Sequence, residues 1–331
     1  MTIDATAPGL WPSAQPESAR PESAWPEPAR PRIIMCAPDH FEVSYTINPW
    51  MRPDEWESRR AELSGAAAAG WSALRNRLHQ LGAAVELVAP HPGLPDLVFT
   101  ANAAVVLDGK ALVARFRHPE RRPEEPHFRR FFDGLASRGL LDAVHDMPPG
   151  LCLEGAGDCV HDAGRGVFFL GHGFRSDREA AAVVADLFGE EVEPLELVDP
   201  RFYHMDTALC PLSGGEVLYV PGAFSAEGRG RLRERIGADR LIAVPEADAV
   251  RLAANAVNLG RDVVLAEASD DLKAALAERG YRVHEVPIRS FGLSGGSAFC
   301  LTLRLDRRSV RAAAAAPETV AEVAVQPALL D

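Results

Sequence analysis

The chain has 331 residues, 47% hydrophobic and 25% charged, enough apolar material for a sizeable core in one large domain or two smaller ones. Its formal net charge of -12 excludes a general nucleic-acid surface, which needs clustered Lys and Arg against phosphates, and leaves small-molecule chemistry as the working class. Residues 1–30 hold no signal-peptide core, and no later run approaches the ~20 apolar residues that span a bilayer. The expectation is a cytoplasmic protein with a small-molecule substrate, no nucleic-acid or membrane partner, and an oligomeric state left open, a homo-oligomer included.

In chain order, residues 1–30 read as a disordered Pro-rich segment, with near-duplicate PESA units and no periodic apolar face. The folded part is expected over 31–306, and 307–331 as an Ala-rich tail. Arg32 to Ala37 reads as a strand. Trp71, Leu74, Leu78 and Leu81 share one helical face before Gly82. Hairpins follow at 102–107 with 111–114 around Asp108-Gly109, and at 158–161 with 167–170 around Gly164 to Gly166. A helix over Arg178 to Phe188 stops at Gly189. Two more hairpins, 208–212 with 217–220 and 256–259 with 263–266, precede a helix over Asp271 to Arg279. The turns recur at intervals of about fifty residues, a period that implies a propeller-like or stacked architecture of two strands, a helix and a further strand. Arg32 to Ala37 and Ala298 to Leu305 would complete a fifth unit from opposite ends of the chain, and closure removes exposed sheet edges.

The five cysteines, Cys36, Cys152, Cys159, Cys210 and Cys300, show no CxxC spacing, so neither a disulfide framework nor a zinc ribbon is suggested. Four of them sit in or beside apolar runs and read as core filler. Cys300 differs, because Gly295-Gly296 lets a ligand approach closely while an apolar strand behind holds the thiol. Upstream, Phe202-Tyr203-His204-Met205-Asp206-Thr207 and Leu153-Glu154-Gly155-Ala156-Gly157-Asp158 offer a histidine and carboxylates on similar loops. A Cys, His and Glu set is what covalent thiol catalysis requires. The bland reading of each is a hydrogen-bonded histidine or a turn carboxylate. Metal binding by His118, His127, His145, His161, His172 and His204 fits no recognised zinc spacing, so no metal is expected.

Five segments in this order resemble the guanidine-modifying enzymes of the pentein α/β-propeller fold: Pro95-Asp96-Leu97-Val98-Phe99, Leu153 to Asp158, His204 to Thr207, Ala253-Ala254-Asn255 with Asn258, and Gly295 to Cys300. That group includes arginine deiminases, dimethylarginine dimethylaminohydrolases, arginine dihydrolases and amidinotransferases, and the resemblance runs from about Arg32 to Leu305. It implies a five-bladed α/β-propeller of ββαβ units, with Cys300 as nucleophile, His204 as general acid and base, and Glu154 as its orienting partner. Asp96 and Asp206 would grip the guanidinium, a planar fork that carboxylates receive in bidentate fashion. No metal or organic cofactor is implied.

Arg115, and less so Arg117, is the candidate for a substrate α-carboxylate; the competing reading is a solvated basic run, continuing through Arg121, Arg122, Arg129 and Arg130, paired with Glu120, Glu124 and Glu125. Asp158 is either a brace for the 155–157 turn or a substrate contact. Dimethylargininases of bacteria carry an acidic residue where this chain has Asn102 and a lysine where it has Asp206, and the Asp206 arrangement looks more like arginine deiminases. Met35-Cys36-Ala37-Pro38, Ile47-Asn48-Pro49-Trp50-Met51 and Phe99-Thr100-Ala101-Asn102 look more like arginine dihydrolases, in which two asparagines, here Asn48 and Asn102, help a second hydrolysis. Asn48-Pro49 is also a simple turn starter. The resemblance thus implies hydrolysis of the guanidine of arginine or an N-methylated arginine through a thiouronium. Ornithine is the first expected product and citrulline the second; amidino transfer to an amine and a non-catalytic arginine-binding protein are the alternatives.

Overall fold

The computed structural model describes residues 30–310 and 312; the expected disordered segment, apart from its last residue, and most of the expected tail lie outside the described residues. The described chain forms five three-stranded sheets. The first holds β1 (Arg32–Cys36), followed by helix α1 (Arg60–Gln80) and β2 (Ala84–Val88). The second is built from β3 (Ala104–Leu107), β4 (Lys110–Val113), α2 (Glu125–Ser137) and β5 (Ala143–Asp146). Then come β6 (Cys159–Asp162), β7 (Val167–His172), α3 (Ala180–Phe188) and β8 (Glu191–Glu196). The fourth unit is β9 (Leu209–Pro211), β10 (Val217–Tyr219), α4 (Ala226–Ile236) and β11 (Leu241–Ala243). The fifth is β12 (Val257–Leu259), β13 (Asp262–Leu265), α5 (Asp270–Ala277) and β14 (Arg282–Glu285), and β15 (Leu303–Arg304) returns to lie against β1.

Every sheet repeats one pattern. The first strand pairs antiparallel with the second, across a short turn in four sheets and from opposite ends of the chain for β15 and β1, and a helix carries the chain back so that the third runs parallel to the second. Asp108 and Gly109 both take positive φ, 50° and 74°, the geometry a two-residue hairpin with right-handed strand twist demands. Helix α1 buries Leu63, Ala67, Gly70, Trp71, Leu74 and Leu78 along one stripe. Gly70 is needed there, since a Cβ at this position would lie 2.3 Å from the carbonyl oxygen of Pro287. Ser225 and Ser269 cap α4 and α5 by accepting from Gly228 N and Leu272 N, and α3 stops at left-handed Gly189, φ 69°.

A short turn precedes the first strand of each sheet, and these turns hydrogen-bond to one another around a closed cycle. Asn102 Nδ2 donates to Glu154 O at 3.2 Å, and Met205 N to Asp158 Oδ1 at 3.1 Å. Asn255 Nδ2 donates to Asp206 O at 3.1 Å, Phe299 N to Asn255 O at 3.3 Å, and Ala101 N to Cys300 O at 3.1 Å, back to the starting turn. Residues far apart in sequence are thereby held around one point.

Three expectations are corrected. Ala298 to Leu305 is a strand only over Leu303–Arg304; Leu301 N bonds Ser297 O and Thr302 N bonds Phe299 O, so Cys300 sits in a turn with no strand ladder behind it. Asn102 and Asp158, expected to open strands, lie in helical turns at Thr100–Ala103 and Gly155–Asp158. The chain also stays docked past Asp306: Asp108 N donates to Arg307 O and Ser309 N to Asp108 Oδ1, at 3.0 and 2.8 Å.

Candidate active site

Cys300, His204, Asp96, Asn48 and Asn102 line one cleft together with Arg121, Arg175, Tyr203 and Ser294. All of these side chains are buried. The glycines anticipated beside the thiol prove sterically necessary. A Cβ on Gly296 would lie 2.3 Å from the Phe99 ring, and Gly295 has φ 84° with Tyr203 Oη 2.7 Å from where a Cβ would stand.

The thiol is tightly held. Cys300 Sγ donates to Asp206 Oδ2 at 3.0 Å and accepts from Asn255 Nδ2 at 3.1 Å, while Cys300 N donates to Asn255 Oδ1 at 3.1 Å. Burial, followed by the neighbouring Asp206 carboxylate, pushes the thiol well above its ordinary range. Burial likewise raises Asp206 to about 7. Its second oxygen, Oδ1, is buried without a hydrogen-bond partner among the described residues. The pair therefore holds its proton and offers an unsatisfied acceptor to a cationic N–H donor.

His204 is fixed from the other side. Its Nε2 lies 2.8 Å from Glu154 Oε2, which also accepts from Arg175 Nη1 at 3.0 Å. Burial pushes Glu154 up, but Arg175 and then His204 pull harder and hold it well below the usual carboxylate range. An ionised carboxylate only accepts, so Nε2 carries the proton and Nδ1 is the free base. Burial lowers His204 to about 4 despite Glu154, leaving the imidazole neutral near neutral pH. Asp158 accepts from Ser176 Oγ at 2.6 Å and Met205 N at 3.1 Å, and stays 4.0 Å from His204 Nε2. It braces the two turns that carry Glu154 and His204.

Asp96 accepts from Tyr45 Oη at 2.8 Å and from Ser294 Oγ at 3.1 Å, with Arg121 Nε 4.0 Å away. Asn48 donates to Ser294 O at 3.0 Å and accepts from Trp50 N at 2.9 Å. Asn102 accepts from Arg121 Nη1 at 2.8 Å. Gly157 makes room for it, because a Cβ there would lie 2.1 Å from Asn102 Nδ2.

Arg115 does not line this cleft. Its backbone pairs with Leu153 in both directions, at 3.0 and 3.1 Å, and its Nε is buried without a partner among the described residues. The guanidiniums that do line the cleft are Arg121 and Arg175. Arg121 belongs to the run that reads as solvated, yet it is 3% exposed and paired to Glu124 at 2.8 Å. Asn255 lies in one of the five family-like segments, where the resemblance implies no role for it, and nothing in the sequence marks Arg175. Of the cysteines expected as core filler, Cys36, Cys159 and Cys210 are buried and Cys152 is half-buried, all as free thiols.

A family profile described as N,N dimethylarginine dimethylhydrolase, eukaryotic, matches residues 37–307. The chain is 42% identical over 276 residues to the bifunctional arginine dihydrolase/ornithine cyclodeaminase AgrE of Nostoc sp., covering 83% of this chain but 38% of that relative's length. It is 36% identical over 277 residues to the N(G),N(G)-dimethylarginine dimethylaminohydrolase of Mycobacterium tuberculosis, covering 83% of this chain and 85% of that one. Among solved structures it is similar to the N-terminal domain of ArgZ, a cyanobacterial arginine dihydrolase crystallised as a cysteine-to-serine variant with substrate. That match has a TM-score of 0.78 and 41% identity, and covers 84% of this chain and 99% of that one.

Proposed function

The chain belongs to the N,N-dimethylarginine dimethylhydrolase family, and from this membership and the cleft around Cys300 we propose that it is a cysteine-dependent hydrolase of the guanidine group of arginine. The observation that carries the reading is the convergence of a buried thiol, an oriented neutral histidine and acidic side chains in one cleft. The fold we propose is a five-bladed α/β-propeller, supported by the closed cycle of turn hydrogen bonds and the β15–β1 pairing.

In this mechanism the substrate guanidinium sits between Asp96 and Asp206, giving Asp206 Oδ1 the N–H it lacks. Arg175 uses one N–H on each Nη, toward Glu154 and Ile47 O, and keeps others for the substrate α-carboxylate. The bound cation favours thiolate, whose proton passes to His204 Nδ1, and the sulfur attacks the guanidinium carbon. His204 returns the proton to the departing nitrogen, ammonia leaves, and a thiouronium remains on Cys300. His204 then takes a proton from water, which attacks the thiouronium carbon, and the collapse that expels the thiolate yields citrulline. A second round on the ureido carbon expels another ammonia, and hydrolysis of the resulting thiocarbamate gives a carbamate that breaks down to ornithine and carbon dioxide.

Arginine dihydrolase activity is favoured over the citrulline-forming reaction because Asn48 and Asn102 both line the cleft and the similarity to the dihydrolase relative is higher, 42% against 36%. An amide both donates and accepts, so it suits a neutral ureido group better than a carboxylate does. Incubating the enzyme with arginine, mono- and dimethylarginine, each with and without glycine, and weighing the products tests the reading. Ornithine from arginine is expected. Citrulline as the end product, or guanidinoacetate when glycine is present, would replace it with the deiminase or amidinotransferase reaction.

A further inference from the structure

A second cavity, about 40 Å³, opens along the first strands of the sheets, further down them than the turns that carry the active site. That is room for a few waters or one small ion. Its polar lining includes His161 on β6, Arg304 on β15 and Arg307 just beyond it.

His161 is 6% exposed and packs on Phe168 with ring centroids 4.6 Å apart, yet neither ring nitrogen has a hydrogen-bond partner among the described residues. A neutral imidazole always carries one N–H, so this burial strands a donor as well as an acceptor. Burial, and then the nearby Arg307 charge, hold the ring neutral by lowering it to about 3.

The acids in this region are already engaged. Asp162 is paired with Arg165 at 2.6 Å, Asp306 takes the fork of Arg304, and Asp108 Oδ1 accepts from Ser309 N at 2.8 Å. Arg307 feels the Arg304 charge and, in the opposite sense, Asp306 and Asp162 through space, but its guanidinium makes no direct ion pair or hydrogen bond among the described residues. A guanidinium without a direct partner thus borders a cavity that also holds a stranded imidazole.

We propose that this cavity binds a small oxygen anion of the phosphate or carboxylate type, held by the Arg307 guanidinium and the His161 N–H. Such a ligand supplies charge-assisted acceptors to the two groups that lack them. It would sit apart from the Cys300 cleft, although Phe299 and Thr302, which flank Cys300, line its wall.

The test is calorimetric titration of the full chain with inorganic phosphate and, separately, acetate at constant ionic strength. Saturable one-to-one binding of at least one anion is expected, weakened at least tenfold in Arg307→Gln and unchanged in the exposed control Arg129→Gln. Stronger binding of phosphate or of acetate identifies the ligand class. No saturable binding of either anion, or equal affinity in Arg307→Gln, overturns the proposal. Should Arg307→Gln fail to fold, crystals of the wild-type chain grown with arsenate and, separately, with bromoacetate decide: anomalous signal between Arg307 and His161 with either supports the site, and its absence there with both rejects it.

Discussion

Replacing Glu154 by Gln removes one negative charge and almost no volume. In the native protein one oxygen, Oε2, accepts from both His204 Nε2 and Arg175 Nη1, at 2.8 and 3.0 Å, and Oε1 accepts from Arg117 N at 3.2 Å. An amide has only one acceptor oxygen, so its NH₂ must face a donor, and buried Arg175 loses its counter-charge. Breaking a buried pair in this way costs about 3–5 kcal/mol, against ~1 kcal/mol or less for an exposed pair such as Arg129 with Asp133. The folded carboxylate is held below its ordinary value of 4.5, so the stability it contributes is fully present above that pH and drains as pH falls further. Urea unfolding of both proteins should show a constant gap from about pH 6 to 9 that narrows below about 4.5. Turnover should fall about 10²- to 10⁴-fold, because His204 loses the partner that fixes its tautomer and stabilises the imidazolium. A gap below ~1 kcal/mol, a gap that widens on acidification, or turnover within tenfold of the wild type would refute this account of Glu154.

Asp206→Asn should flatten part of the pH dependence of stability. The folded Asp206 value of about 7 lies above its ordinary 3.8, so its contribution is complete below 3.8 and is lost as pH rises toward 7. Urea midpoints of the wild type should fall relative to the variant across that window, and parallel curves would contradict the assignment. Asn102→Ser should lose the bonds to Arg121 and Glu154 O and shift the product from ornithine toward citrulline while arginine is still consumed. Unchanged ornithine yield by mass spectrometry would remove Asn102 from the second hydrolysis.

Much of the fold was legible because it repeats. Asp108-Gly109 and Gly260 punctuate paired β-rich runs, and β1 and β15 meet as strands from the two chain ends. Helix α3 ends at Gly189 as its sequence indicates. Helix α2 is harder to see. It starts among prolines and charges, and its apolar face rests on Phe128, Phe132 and Leu135. Helix α4 contains Gly228 and Gly230 and buries only Leu232 and Ile236 among its large apolar residues, so its pattern is dominated by arginines. In the site, the sequence singles out Cys300 and Glu154 by residue type and neighbouring glycines, and His204 by residue type alone. Arg121 and Arg175 were not, because a buried arginine differs from a solvated one only through partners distant in sequence, such as Asn102 for Arg121 or Ile47 O for Arg175. The turn at Cys300 looked like strand because its apolar residues pack inward from a helical turn, as Ala298 and Leu301 do.

The most direct test is to quench the wild-type enzyme with acid during turnover of arginine and map its peptides by mass. An arginine-derived adduct is expected on the peptide bearing Cys300, absent in Cys300→Ser, which should bind arginine, keep its fold and release no ornithine. Steady consumption of arginine by Cys300→Ser, or an adduct found only on another residue, would contradict it.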